Sequence, residues 1–172
     1  PVELQGVATA DWGLARKSFA GLGHLEGKTV SILADGNVHP QRVVTAGAIE
    51  LQYAAAVVIA GLPYVADFET LDINLPSGET LRDKKKVIPR VTLLAQASRA
   101  LLAGTSFAER DLYEVKQRDT ENYDQAIFTR TGLFDVSIPD SWSTDGRVCV
   151  RQSDPLPLTI LAVMPDVSIG GA

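Results

Sequence analysis

Apolar and polar side chains alternate along most of this chain, and the period is two. In Lys28–Ala34, Val30 and Ile32 fall on one face and Thr29, Ser31 and Leu33 on the other, the pattern of a strand with one buried side. Asp35-Gly36-Asn37 then predicts a tight turn, because glycine enters positive φ without steric cost and Asp and Asn tolerate it. Val38–Val44 is the return strand. Pro40 interrupts it, and a residue without an N–H belongs on an edge strand or at a bulge. Thr45-Ala46-Gly47 predicts a second turn, and Ala48–Leu51 a short strand. Ala54–Ala60 is apolar throughout. Its Val57-Val58-Ile59 core, closed by Gly61 and Pro63, predicts a buried strand rather than a helix. Tyr64–Ile73 reads as a further strand, with Asp67, Glu69, Leu71 and Ile73 on one face and Phe68, Thr70 and Asp72 on the other.

The second half continues in the same way. Pro76–Thr80 is a loop, followed by Lys84-Lys85-Lys86. Val87–Ala97 is a strand, because Val, Ile and Thr dominate its first half and Pro89 forbids an ordinary helix interior. Leu101–Gly104 ends on glycine, Asp111–Arg118 and Leu133–Ile138 alternate, and Asp119–Gln125 is a polar loop. Trp142 sits in a Ser-rich turn region. Arg147–Arg151 alternates with Val148 and Val150 on one face; Cys149 packs on a sheet face as a small hydrophobe, and is outward and more exposed if the two valines point inward. Ser153–Pro157 is a stiff extended connector. Leu158–Met164 reads as a final buried strand stopped by Pro165, before a loose Gly170–Ala172 tail. About nine to eleven short strands and no helix longer than two turns predict an all-β antiparallel sandwich or barrel, with room for two small subdomains. The polar stretch Leu75–Lys86 is the best internal boundary. The expected division is a β subdomain over 21–75 and, over 76–172, a second one or the completion of the same sandwich. Residues 1–20 lack alternation and begin at Pro1 without an initiator Met. They read as the end of a preceding segment or a linker in a processed or excised piece.

Composition narrows the chemistry. With 172 residues, 45% of them hydrophobic and 22% charged, the chain is a folding chain that buries about 70% of its unfolded surface. A net charge of −5 argues against broad nucleic-acid coating, which needs clustered Lys and Arg. A single cysteine, Cys149, excludes an internal disulfide and every multi-cysteine zinc module. Two histidines, His24 and His39, exclude a histidine-rich metal site. No apolar run approaches the ~18 residues of a membrane span, and no charged-then-apolar signal segment opens the chain.

Individual candidates for catalysis are weak. Ser31 lies on a strand with no Gly-x-Ser-x-Gly elbow. Cys149 lies between two valines with nothing to supply an orienting third group. Asp67 and Glu69 share a strand face as a glycosidase pair would, but a solvated polar face gives the same spacing. Asp119, Glu121 and Asp124 lack the central glycine and closing glutamate of a calcium loop. Gly21-Leu22-Gly23 with Gly27 fits the dinucleotide fingerprint poorly and reads as tight turns. Lys84, Lys85 and Lys86 could touch phosphates, yet three lysines are better read as a solvated loop. His24 and His39 read as turn or surface hydrogen bonders. With no catalytic set, the expectation is a structural or interaction protein and not an enzyme.

One segment narrows this further. Gly21-Leu-Gly-His-Leu-Glu-Gly-Lys-Thr-Val-Ser-Ile-Leu-Ala-Asp-Gly36 resembles a stretch near the C-terminal end of bacteriophage tail nozzle proteins, also called tail tubular protein B. Gly47–Leu51, Ala60-Gly-Leu-Pro-Tyr64 with Phe68-Glu-Thr-Leu71, Lys84–Arg99 and Asp154-Pro-Leu-Pro-Leu-Thr-Ile160 follow in the family's order. The resemblance covers Gly21 to about Ser168 at four or five points. Ala60 stands where the family often has Val, and Ala100 where it often has Gly after Ser-Arg. The resemblance implies a virion protein of a short-tailed phage, made in the bacterial host cytoplasm. It implies a homo-hexameric ring below the portal, with adaptor and fibre proteins as neighbours. Double-stranded DNA passes through such a ring without sequence-specific binding, and no cofactor and no membrane are involved. The acidic positions Asp67, Glu69 and Asp72, and with them Lys84, Lys85 and Lys86, are its candidate channel-facing or interface residues. The alternative is a carbohydrate-binding or depolymerase-associated β module of a phage tail. It would want clustered aromatics, and Trp12, Trp142 and four Tyr are scattered.

Overall fold

The computed structural model describes residues 14–74, 81–115, 126–139 and 142–170, and the backbone of 2–5. Among these the protein is all-β: thirteen strands in four antiparallel sheets, with two three-residue 3-10 turns. The strands exceed the expected nine to eleven because residues 2–5 and 16–20 also pair as strands. The chain forms two compact units. The first gathers the described residues within Pro1–Tyr64, Thr120–Phe128 and Asp154–Leu156, and the second takes the rest. The main division thus falls after Tyr64, ahead of the polar stretch read as the boundary.

In the first unit, β1 (Val2–Gln5), β6 (Val57–Gly61), β3 (Thr29–Ala34) and β4 (Asn37–Val43) form one sheet in that order, and β2 (Arg16–Ala20) pairs with β5 (Ala48–Ala55). Val30 and Ile32 of β3 are fully buried and meet Ile49 and Leu51 of β5 in the core, as the alternation predicts. The hairpin turns use left-handed residue pairs, Asp35 and Gly36 at φ 47° and 77°, then Ala46 and Gly47 at 53° and 68°. Asp35 also breaks the Ala54–Ala60 run. Its carboxylate accepts the backbone N–H groups of Ala56 (3.0 Å) and Val57 (2.7 Å). The chain therefore bends at Ala56 and continues as β6 in the other sheet.

Pro40 sits on an edge strand at a bulge, as expected. Val30 faces Arg42 and Ile32 faces His39, leaving Pro40 and Gln41 opposite the single residue Ser31. His39 is not a surface residue. It is 7% exposed, and its Nε2 accepts the backbone N–H of Gln52 at 3.0 Å while Nδ1 lies 2.8 Å from the Pro40 carbonyl. A backbone N–H can only donate, so Nε2 is the bare nitrogen and Nδ1 carries the hydrogen.

In the second unit, β10 (Leu112–Glu114), β9 (Leu102–Gly104), β12 (Cys149–Gln152) and β7 (Ala66–Glu69) form one sheet, and β11 (Arg130–Ser137), β8 (Lys86–Ser98) and β13 (Ile160–Ile169) the other. β8 is central and thirteen residues long. Its Val91, Leu93 and Ala95 alternate into a core shared with Phe134 and Val136 of β11 and Val150 of β12. The Tyr64–Ile73 strand shortens to Ala66–Glu69. Thr70 and Ile73 still donate to Val148 and Asp145 carbonyls, but outside the ladder. Pro165 does not stop the last strand. β13 is an edge strand, half-exposed rather than buried, and it runs through Pro165, with register shifts after Ile160 and after Asp166. A proline and irregular pairing on an edge blunt it against strand addition.

Candidate functional site

Asp67 and Glu69 lie on β7 beside β12 and Asp72 just beyond its end, and the structure gives each of the three a partner. Asp67 faces Arg151 across the strands and Glu69 faces Cys149. Arg151 donates from Nε and Nη2 to the two Asp67 carboxylate oxygens, both at 2.7 Å, a bidentate fork. Its guanidinium also lies 5.1 Å from the Phe107 ring centroid. Arg147 bridges the other two acids, donating to Glu69 at 3.3 Å and to Asp72 through Nε. Three carboxylates and two guanidiniums thus form one ladder. The arginine hydrogen bonds hold the Asp67 and Asp72 carboxyls below their ordinary range, so both stay ionised at neutral and mildly acidic pH.

Cys149 lies inside this ladder. The strand alternates as expected, with Val148 and Val150 in the core. Cys149 nevertheless is 1% exposed and not on an open face, with its Sγ 3.9 Å from a Glu69 oxygen. Burial first, then the Glu69 carboxylate, pushes the thiol up to about 11. That is the opposite of nucleophile activation. At pH 8, Ellman's reagent is expected to label the folded protein at least about tenfold more slowly than the urea-unfolded chain. Glu69→Gln is expected to narrow that gap, and equal rates in the folded and unfolded chains would contradict the buried placement.

The lysine run separates into three environments. Lys85 is exposed, Lys84 is half-buried, and Lys86 is 1% exposed at the start of β8. The solvated-loop reading therefore fails for Lys86. Its Nζ donates to the Thr144 carbonyl at 2.6 Å and lies 3.4 Å from that of Lys84. Its stem packs over Gly146, where a Cβ would come within 2.8 Å of Lys86 Cδ. A lysine run looks the same in sequence whether it is solvated or opens a strand. The signal lay in Val87 and Ile88, which continue the buried run.

Arg147 and Arg151 were missed as partners. The available signal was like charge recurring at even spacing in two segments, two residues apart in Asp67 and Glu69 and four apart in Arg147 and Arg151. Pairing across some eighty residues needs the fold.

The Gly21–Gly36 segment is a set of turn fasteners. The Glu26 carboxylate accepts the N–H groups of Ala46 (2.9 Å) and Gly47 (2.6 Å), and Asp35 holds the corner at Ala56 as above. Leu22 is fully buried and Leu25 packs on the same core. Gly21, Gly27 and Gly36 all take positive φ. His24 is exposed in the first 3-10 turn (Gly23–Leu25). Ser31 is buried and accepts from Gln41 at 3.2 Å. Ala100, where the resembling family often has Gly, stands at φ 53°. Asp119, Glu121 and Asp124 lie outside the described residues. Among the described residues no three His, Cys, Asp or Glu side chains gather as a metal site, and no helix is long and apolar enough to cross a membrane. Compared with known proteins, the chain matches no family model and no curated relative.

Proposed function

We propose that the chain is part of a tail nozzle subunit of a short-tailed bacteriophage, acting as a structural component of a six-membered ring around the DNA ejection channel. The observation that carries this reading is the Gly21–Gly36 block together with Gly61-Leu-Pro-Tyr64 and the later blocks in the family's order. Two structural features support it. Two acidic residues of the block have physical work in this fold, since Glu26 and Asp35 fasten turns by accepting backbone N–H groups. The backbone at Ala100 has the left-handed φ that glycine favours, at the position where the family often carries glycine.

The charge pattern suits a wall past which DNA slides. Arg147 and Arg151 are held by carboxylates, so they offer few free cations to phosphates, and each phosphate neutralised would add affinity. The net charge of −5 per chain works in the same direction. Negative-stain microscopy of the purified protein tests the reading. Rings with a central hole are expected. A field of single small particles, with saturable binding on a glycan array, would favour the carbohydrate-binding module instead.

A further inference from the structure

We propose that the seam between β4 and β5 in the first unit is a binding site for a carboxylate, with Arg42 as its charged ligand. The inference does not depend on the nozzle reading. The bulge at Pro40–Gln41 sets it up. Arg42 lies directly across from Val30, and His39 from Ile32. Directly opposed residues share a sheet face, and Val30 and Ile32 are fully buried core residues. Both polar side chains are therefore directed to the inner face of the sheet, at its edge.

His39 is fully satisfied there by Gln52 N–H and the Pro40 carbonyl. Arg42 is not. Its Nε is buried and has no hydrogen-bond partner among the described residues. A guanidinium keeps its charge, and a buried charged N–H without an acceptor is rare and costly. A groove of about 550 Å³ lies against it, lined by Arg42, Ser18, Thr45, Glu50, Val43 and Ile49 among others. That is room for a small ligand. Bulges often re-aim side chains beside binding sites.

The chemistry of the lining selects the ligand. A guanidinium fork matches the planar, two-oxygen geometry of a carboxylate. Among the described lining residues Arg42 is the one cationic side chain, and Glu50 lies in the same lining. One cation beside one carboxylate tolerates a monoanion and repels a phosphate dianion. The hydroxyls of Ser18 and Thr45 can donate to a carboxylate oxygen. The carboxylate comes either from a free small acid or from an Asp or Glu side chain of a second copy.

Nitrogen-15 NMR of the whole chain tests this through the Arg42 Nε–H resonance. Sodium acetate is titrated against sodium chloride and sodium phosphate at matched ionic strength. Acetate is expected to move the resonance saturably, with chloride moving it at least fivefold less. In Arg42→Lys, read at the Thr45 and Ala48 amides, the acetate response is expected to fall at least fivefold. A resonance indifferent to acetate overturns the site. Equal shifts with chloride, an unchanged response in Arg42→Lys, or saturation by phosphate at lower concentration than acetate also overturn it. The same resonance, followed against protein concentration without acetate, separates the two sources. A concentration-dependent shift reversed by acetate supports a second copy's carboxylate, and an acetate response with no concentration dependence supports a free acid.

Discussion

Gly104→Ala is expected to destabilise the second unit by about 3 kcal/mol or more, the upper range for overpacking. Gly104 ends β9 and pairs on one side with Leu112 of β10 and on the other with Cys149 of β12. A Cβ there would lie 1.8 Å from the Asp111 carbonyl oxygen and 2.8 Å from its carbon. Both are backbone atoms, so no side-chain rotation relieves the clash. Either β9 or the 3-10 turn at Glu109–Asp111 must move, and β10 with it. The effect is one of space alone, because Gly104 is not among the positive-φ residues. Gly23→Ala is the matched control. A Cβ at Gly23 meets nothing within 4 Å and its φ is ordinary, so the change should stay within about 0.5 kcal/mol, as is usual at surface positions. Urea unfolding of the three proteins measures both. A Gly104→Ala midpoint equal to that of the parent would contradict the close approach of β9 and the turn.

Lys86→Ala is the second large effect, at about 3 kcal/mol, because it removes a charge-assisted hydrogen bond and the packing of a buried stem together. The Thr144 carbonyl loses its 2.6 Å donor, and the space over Gly146 empties. Lys86→Met separates the two contributions. Methionine restores most of the stem but not the donor, so it should recover roughly half of the loss. Two variants as stable as the parent in urea would mean that the lysine is solvated after all. A methionine variant more stable than the parent would mean that burying the ammonium costs more than its two carbonyls return.

Local alternation made much of the fold legible. Val30 and Ile32 inward, the Asp35-Gly36 turn, the edge position of Pro40 and the strand character of Val87–Ala97 all follow from period, turn chemistry and β-branching. The misreadings share one cause, which is contact between residues distant in sequence. The break at Ala56 is imposed by a carboxylate twenty-one residues earlier. Pro165 is tolerated because β13 has a neighbour on one side only. Cys149 is outward by period but covered by the ladder that Glu69 and Arg147 build. The candidate site was half legible. Asp67 and Glu69 share one strand as read, whereas Asp72, read on the opposite face, meets Arg147 beyond the end of β7, and the arginine partners and the burial of Lys86 needed the fold.

Light-scattering mass of the purified chain, over a range of concentrations, tests the nozzle reading most directly. A closed ring of six 18.4 kDa copies predicts a particle of about 110 kDa that does not grow further, because cyclic symmetry uses up its interfaces. A constant 18.4 kDa at every concentration would contradict it.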